Sequence, residues 1–207
     1  MISCSILNES LENNMDKMID DEMLVTQFKS GIQKAFDELM KRYERRIFSY
    51  LLRSVRNYED AEELTLEVFF KAYRALGSWE PKAKFSTWLY TIASNLSIDY
   101  HRSKSRHPVF IYEDENVIEK RLVANDISSN PEKQLEDQER GEIIRAAVDK
   151  LSAKQKEVFM LTRYEGLQIK EVAETLGMAE GTVKIHLHRA IKKLQTILQP
   201  LWENNEI

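Results

Sequence analysis

Cysteine is nearly absent: Cys4 is the one cysteine in 207 residues. No internal disulfide can form, so a stapled secreted fold is excluded, and a reducing cytoplasm is the expected compartment. Glycine and proline are scarce, at 6 and 4. Ordinary chains carry roughly 12 % of the two together, more than twice this share. Few turns are therefore encoded, which argues against a sandwich, a barrel or a many-hairpin β fold. No run approaches the roughly 18 apolar residues of a membrane span, so no membrane insertion is expected. The first ten residues lack the basic flank and sustained apolar stretch of a signal peptide. Residues up to Met15 show no periodicity, and Met15 and Met18, like Met1, are candidate starts. Metal-ligand spacing is also missing. His186 and His188 are two apart and point to different sides of a helix, while His101 and His107 stand near a chain boundary. No nucleophile–base constellation, phosphate-cradling glycine loop or metalloprotease signature occurs. The expectation is no catalytic residue, no metal and no cofactor.

What is present is helical periodicity. Between 33 and 56, Phe36, Leu39, Met40, Tyr43, Ile47, Leu51 and Val55 recur at spacings of three and four. A shorter helix before it carries Met23, Leu24 and Phe28 and stops at Gly31, a C-cap residue. Asn57 is an N-cap for the next helix, with Glu59 and Asp60 at its positive end and Ala61, Leu64, Val68, Ala72 and Leu76 on one face. A loop follows around Trp79 and Pro81, and Ser86 or Thr87 is the expected cap of a helix bearing Trp88, Leu89, Ile92, Leu96 and Tyr100. Periodicity then lapses over 108–130, an acidic stretch read as a flexible linker. Asn130-Pro131 opens a helix expected to bury Ile144, Ala147, Val148 and Leu151, and Ser152 with Gln155 fits a capping box. Two more helices are expected at 168–176 and 180–199, with Gly177 between them and Pro200 as terminator. The fold class is all-α: two small helical domains joined by a flexible acidic linker. The expected boundaries are a tail at 1–19, a domain at 20–107, the linker at 108–130, a domain at 131–200 and a tail at 201–207.

Residues 168–189 (QIKEVAETLGMAEGTVKIHLHR) carry a further pattern. A short helix, a tight turn at Gly177 and a longer helix follow one another. Ala173 permits close approach, and Val183 and Leu187, one turn apart, can lock the second helix onto the first. This is a helix-turn-helix, whose second helix enters the major groove of duplex DNA. That helix bears Lys184, His188, Arg189, Lys192 and Lys193, against Glu180 as the acid at its start. A net charge of −4 and a pI near 5.7 argue against nucleic acid only as totals. Over 82–106, five bases (Lys82, Lys84, Arg102, Lys104, Arg106) face one acid, Asp99. The segment 108–149 is acidic by six charges, and 151–199 is basic by three. The average conceals two basic reading segments and an acidic connector.

Three strings in order resemble the extracytoplasmic-function (ECF) sigma factors of the sigma-70 family. Residues 151–161 (LSAKQKEVFML), Gly181-Thr182-Val183-Lys184 and Leu187 to Ala190 resemble the domain that binds the promoter −35 element. Residues 60–73 (DAEELTLEVFFKAY) resemble the polymerase-docking helix, and 85–99 (FSTWLYTIASNLSID) with Arg102 the −10 recognition segment. The likeness runs from about 20 to 198. Leu66 stands where the family usually has glutamine, Ser152 replaces a usual proline, and Ile185 and His186 replace a common serine–arginine pair.

The resemblance implies partners and residue roles. The partners are core RNA polymerase through its β′ and β subunits, promoter DNA as −35 duplex and melted −10 non-template strand, and an anti-sigma factor. The polymerase contacts it implies are Asp60, Glu63, Leu66, Glu67, Phe70 and Lys71; a solvated face with a Glu67–Lys71 pair is the plainer reading. Leu64, Leu66, Val68, Phe69, Phe70 and Tyr73 are too many apolar residues for one buried stripe, so Leu66 and Phe70, one turn apart, are expected to be exposed as a partner surface; packing against the N-terminal helix is the alternative. The −10 contacts are Lys82, Lys84, Phe85, Asn95, Asp99, Arg102, Lys104 and Arg106. The −35 contacts are Thr182, Lys184, Ile185, His188, Arg189 and Lys192. Trp88 and Tyr100 are expected in the core. The linker, with Glu113, Asp114, Glu115, Glu119 and Asp126, would thread the polymerase's template and RNA-exit path. Two readings compete: a stand-alone helix-turn-helix regulator, and a helical adaptor without DNA.

Overall fold

A computed structural model describes residues 20–106 and 131–203, with side chains for 20–104 and 140–201. The terminal tails, the linker acids and the cap at Asn130 lie outside the described residues. Among the described residues every regular element is helical.

Helix α1 spans Asp21–Lys29, with Asp21 and Glu22 at its positive end and Lys29 at its negative end. Gly31 then reverses the chain at φ +99°. Helix α2, Lys34–Val55, buries the apolar stripe read from its spacing, with Leu39, Ile47 and Leu51 fully enclosed. Helix α3, Tyr58–Leu76, is capped by the Asn57 side chain, which accepts the Asp60 N–H at 2.7 Å.

Helix α4 runs Phe85–Arg106, and neither Ser86 nor Thr87 caps it. Its first backbone bond runs from the Trp88 N–H to the Lys84 carbonyl at 3.1 Å, which makes Lys84 the entry residue. The start moves back because Phe85 is drawn into the core against Tyr43, ring centroids 5.5 Å apart.

Helix α5 spans Pro131–Asp149, and α6, Ala153–Phe159, opens on a capping box in which Gln155 accepts the Ser152 N–H at 3.2 Å. Ile144 is 41 % exposed, not buried. The cluster that α5 joins starts one turn later, at Ala147, Val148 and Leu151. After α6 the chain widens into a π-helical turn, Met160–Tyr164, and swings out at Gly166 with φ +71°.

Helix α7, Ile169–Leu176, has its own capping box, with the Gln168 N–H donating to Glu171 at 2.7 Å. Gly177 closes it in the left-handed conformation, φ +62°. Helix α8 runs Glu180–Glu203 and carries Pro200 inside it rather than ending there. A proline this close to a helix end costs one backbone bond, and the last turn continues past it.

The two halves pack together. Leu89, Tyr90 and Ala93 of α4 belong to the same buried cluster as Val158, Leu161, Val172 and Val183 from the second half. A smaller cluster joins α5 to Ala190 and Leu194 of α8.

Candidate nucleic-acid interface

Val183, Ala190 and Leu194 bury one side of α8. That anchoring leaves Thr182, Lys184, Ile185, His188, Arg189 and Lys192 exposed, so all six expected −35 residues are presented together. Ile185 is 53 % exposed, a large apolar side chain ringed by basic and polar groups. Lys and Arg on such a face can hold phosphates or guanine edges, and an isoleucine can meet a thymine methyl. Glu180, at the N-terminus of α8, suits the helix dipole there.

The −10 residues divide. Asn95, Asp99 and Arg102 lie exposed on α4, with Arg102 paired to Asp99 at 3.6 Å. Lys82 reaches Glu80 at 3.5 Å on the loop. Phe85 is a correction: at 2 % exposure it packs on Tyr43, Trp79 and Trp88 and cannot stack on a base. It supports the loop from beneath. Trp79 lies against Trp88, centroids 5.2 Å apart, and Lys29 donates to the Trp79 carbonyl, tying the loop to α1. Lys104 turns to Asp60 at 3.0 Å, and the Tyr100 hydroxyl donates to the same carboxylate at 2.5 Å. Burial and that carboxylate raise the Tyr100 pKa. An expected polymerase contact, Asp60, is thus joined to an expected DNA contact by an internal bond. Of Arg106 the backbone alone is described.

On α3, Leu66 is 67 % and Phe70 60 % exposed, one turn apart. Tyr73, next along, packs edge-on to Phe28 and Phe36 and so joins the strip to α1 and α2. Glu63 is exposed beside it, and Glu67 pairs with Lys71 at 3.0 Å. A cleft of about 340 Å³ between α2 and α3, lined by Arg45, Phe48, Tyr58 and Leu66, adjoins the patch.

A third constellation was not anticipated from the sequence. Glu165, which caps the end of the π-helical turn, enters the junction between the halves with its side chain 3 % exposed. Arg53 of α2 and the Tyr90 hydroxyl of α4 both donate to its carboxylate. Arg46 donates to its backbone carbonyl at 2.9 Å. Burial, with the Glu165 charge and hydrogen bond, pushes the Tyr90 pKa up. Ser94 donates to Glu157, Arg56 to Asp149, and Lys84 pairs with Glu171 at 2.8 Å. One signal was available: Tyr90, Ala93, Ser94 and Ser97 form a second face of α4 at helical spacing, small and polar enough to meet another helix.

A family model described as Sigma-70 region 2 matches residues 39–107, and one described as Sigma-70, region 4 matches 141–194. The chain is 32 % identical over 191 residues to the ECF RNA polymerase sigma-E factor of Escherichia coli K12, covering 90 % of this chain and 98 % of that one. It is 30 % identical over 184 residues to the RNA polymerase sigma-H factor of Pseudomonas aeruginosa, covering 87 % and 95 %. The chain belongs to the ECF subfamily of sigma-70 sigma factors. Its function lies in transcription initiation.

Solved structures share the fold of this sigma factor. CnrH, in complex with the cytosolic domain of CnrY, superposes with a TM-score of 0.65 at 23 % identity, covering 87 % of this chain and 97 % of that one. The sigma factor RpoE of Bartonella quintana, in complex with the anti-sigma factor NepR, gives 0.62 at 22 % identity, covering 80 % and 98 %. No helix among the described residues of this sigma factor is long and apolar enough to cross a membrane.

Proposed function

We infer that this sigma factor uses three separate surfaces. The Leu66–Phe70 face of α3, with Glu63, Glu67 and Lys71, docks on the coiled coil of the polymerase β′ subunit. The loop at 77–84 and the exposed side of α4, with Lys82, Lys84, Asn95, Asp99 and Arg102, capture the melted −10 strand. The outer face of α8 reads the −35 duplex. The domains proposed to carry these tasks are 20–107 and 131–200. The chain supplies specificity and leaves catalysis to the polymerase, in the cytoplasm. RpoE was solved with the anti-sigma factor NepR, and an anti-sigma factor is proposed for this chain too.

The observation that carries the reading is the α8 face: six side chains expected to read DNA stand exposed while their neighbours lock the helix in place. A stand-alone regulator would need such a face as well. It would not need an exposed apolar strip on α3, which costs solubility unless a partner covers it. The test is Leu66→Glu with Phe70→Glu. Both side chains are exposed, so the fold survives. Core polymerase binding, followed by gel filtration of the mixture, should fall by at least tenfold while duplex DNA binding is unchanged. Undiminished assembly with polymerase would remove the α3 assignment.

A further inference from the structure

The loop between α3 and α4 is turned by local backbone bonds. The Ser78 N–H donates to the Ala75 carbonyl at 3.2 Å, the Trp79 N–H to the Leu76 carbonyl at 3.3 Å and the Lys82 N–H to the Glu80 carbonyl at 2.8 Å. Bonds that span two or three residues set the turn but do not anchor it to the body of the protein. Binding groups on a loop act only as well as a rigid scaffold places them. Here the anchor comes from α1. Lys29, the last residue of that helix, donates to the Trp79 carbonyl from 50 residues away. Its ammonium also stands 6.0 Å from the centroid of the Trp79 ring. One side chain thus holds both the backbone and the indole of the same loop residue. Trp79 in turn lies against Trp88, centroids 5.2 Å and planes 30° apart, and meets Phe85 edge-on at 6.3 Å.

The base from which Lys29 reaches is fixed. Leu24 and Val25 are buried, and Phe28 packs edge-on to Tyr73 at 5.3 Å. At the other end of α1 the Asp21 carboxylate accepts from the Tyr43 hydroxyl and from Arg42, the latter at 3.2 Å. Burial, with the Asp21 hydrogen bond and charge, raises the Tyr43 pKa, so its hydroxyl stays a donor. The Tyr43 ring packs on Phe85, the residue that follows the loop, at 5.5 Å. Helix α1 therefore meets the loop near its start through Lys29 and at its end through Asp21 and Tyr43. Trp79 is a wall of a cleft of about 410 Å³ that Lys82, Thr87, Trp88 and Thr91 also line. That volume suits one small planar group such as an unstacked base. An indole able to swing would open or shut the cleft. A cation over its face and a bond to its carbonyl hold it in one place.

We propose that Lys29 is a positioning residue for the −10 segment: it fixes Trp79 so that the loop stands ready for an unpaired base, without itself touching the strand. This role presupposes that the loop and the exposed side of α4 capture the melted strand. It gives α1 a part in reading the promoter. It also separates Lys29 from Lys82 and Lys84, the loop lysines assigned to the strand itself. Fixing a receptor before its ligand arrives lowers the ordering cost of binding. Without Lys29 the competent loop is populated in only a fraction of molecules, and affinity falls by that fraction.

The test uses the full chain assembled with core polymerase, and a labelled single-stranded 12-mer selected from a random pool by that assembly. Binding is read as the gain over core polymerase alone. Lys29→Met removes the cation and the donor but keeps the stem of the side chain. Strand affinity should fall about fivefold, with the slope of log affinity against log salt unchanged. Near-UV circular dichroism of the chain, which reads the Trp79–Trp88 pair, should lose intensity. Lys29→Arg restores cation and donor and should recover most of the affinity. Lys29 is exposed, so Tm should hold in both variants. A direct phosphate contact predicts another pattern, a salt slope shallower by about 0.7 in Lys29→Met. That slope change, or unchanged affinity, overturns the proposal. An affinity loss that Lys29→Arg does not recover, with a matching fall in Tm, marks a structural role and overturns it too. Lys84→Ala and Arg102→Ala keep the two readings apart. If they weaken strand binding and Lys29→Met does not, the −10 assignment stands and the role of Lys29 falls. If neither weakens it, the assignment fails and the role of Lys29 with it.

Discussion

Ile185 stands 53 % exposed on the outer face of α8, where burial within the chain gives it nothing. An apolar contact with a thymine methyl would account for its place among Lys184, His188 and Arg189. Replacing it with serine should alter base preference at one −35 position, by about tenfold, when a promoter library is selected with either protein. Unchanged preference would sink that contact. Phe85 has the opposite environment. Phe85→Ala leaves a cavity between Tyr43, Trp79 and Trp88 and should cost about 3 kcal/mol. A fall of roughly 10 °C in Tm by thermal unfolding checks it. Locally the two residues look alike, each apolar and each beside lysines. Residue type and periodicity could not separate them, because the burial of Phe85 is decided by Tyr43 on α2 and by a loop folding back. The exposure of Leu66 and Phe70, by contrast, was legible from the surplus of apolar residues on α3.

Helix identities were legible because each apolar stripe is long and each cap uses local chemistry. Asn57 shows the second point: Asn57→Ala should remove the bond to the Asp60 N–H and cost about 1 kcal/mol, a loss of about 3 °C in Tm. Misread boundaries lie where a tertiary contact overrides a local signal. The start of α4 follows Phe85 into the core, and α8 continues through Pro200. The π-helical turn had no signal in spacing, yet it aims Glu165 into the junction between the halves. Gly166 finishes that turn at φ +71°, with open space where a Cβ would stand. Gly166→Ala should therefore cost backbone strain alone, about 1–2 kcal/mol. It should also weaken the Glu165 contacts, read as faster hydrogen exchange at Tyr90 and Arg53.

In the whole molecule, the scarcity of glycine and proline pointed correctly to an all-helical chain. The divided charge sets apart the two basic segments proposed to read DNA. The docked arrangement was not legible, since it depends on pairs far apart in sequence: Lys84 with Glu171, Arg53 with Glu165, Arg56 with Asp149. The first pair gives docking a pH dependence with a definite sign. Glu171 titrates below its ordinary 4.5, so its contribution is present above that pH and lost as pH falls through the lowered value. Lys84 titrates above 10.5, so its contribution is present below that pH and lost as pH rises through the raised value. Across the neutral range the pair holds. Scattering from pH 7 down through the acid range below 4.5 should show the radius rising at the acid end, with a smaller step in Glu171→Gln. The central claim is that this chain confers promoter choice on a polymerase that lacks it. Run-off transcription with purified core polymerase and a genomic promoter pool tests it directly. Promoter-specific transcripts that require this chain are the expected result; tight binding to duplex DNA with no transcript would contradict it.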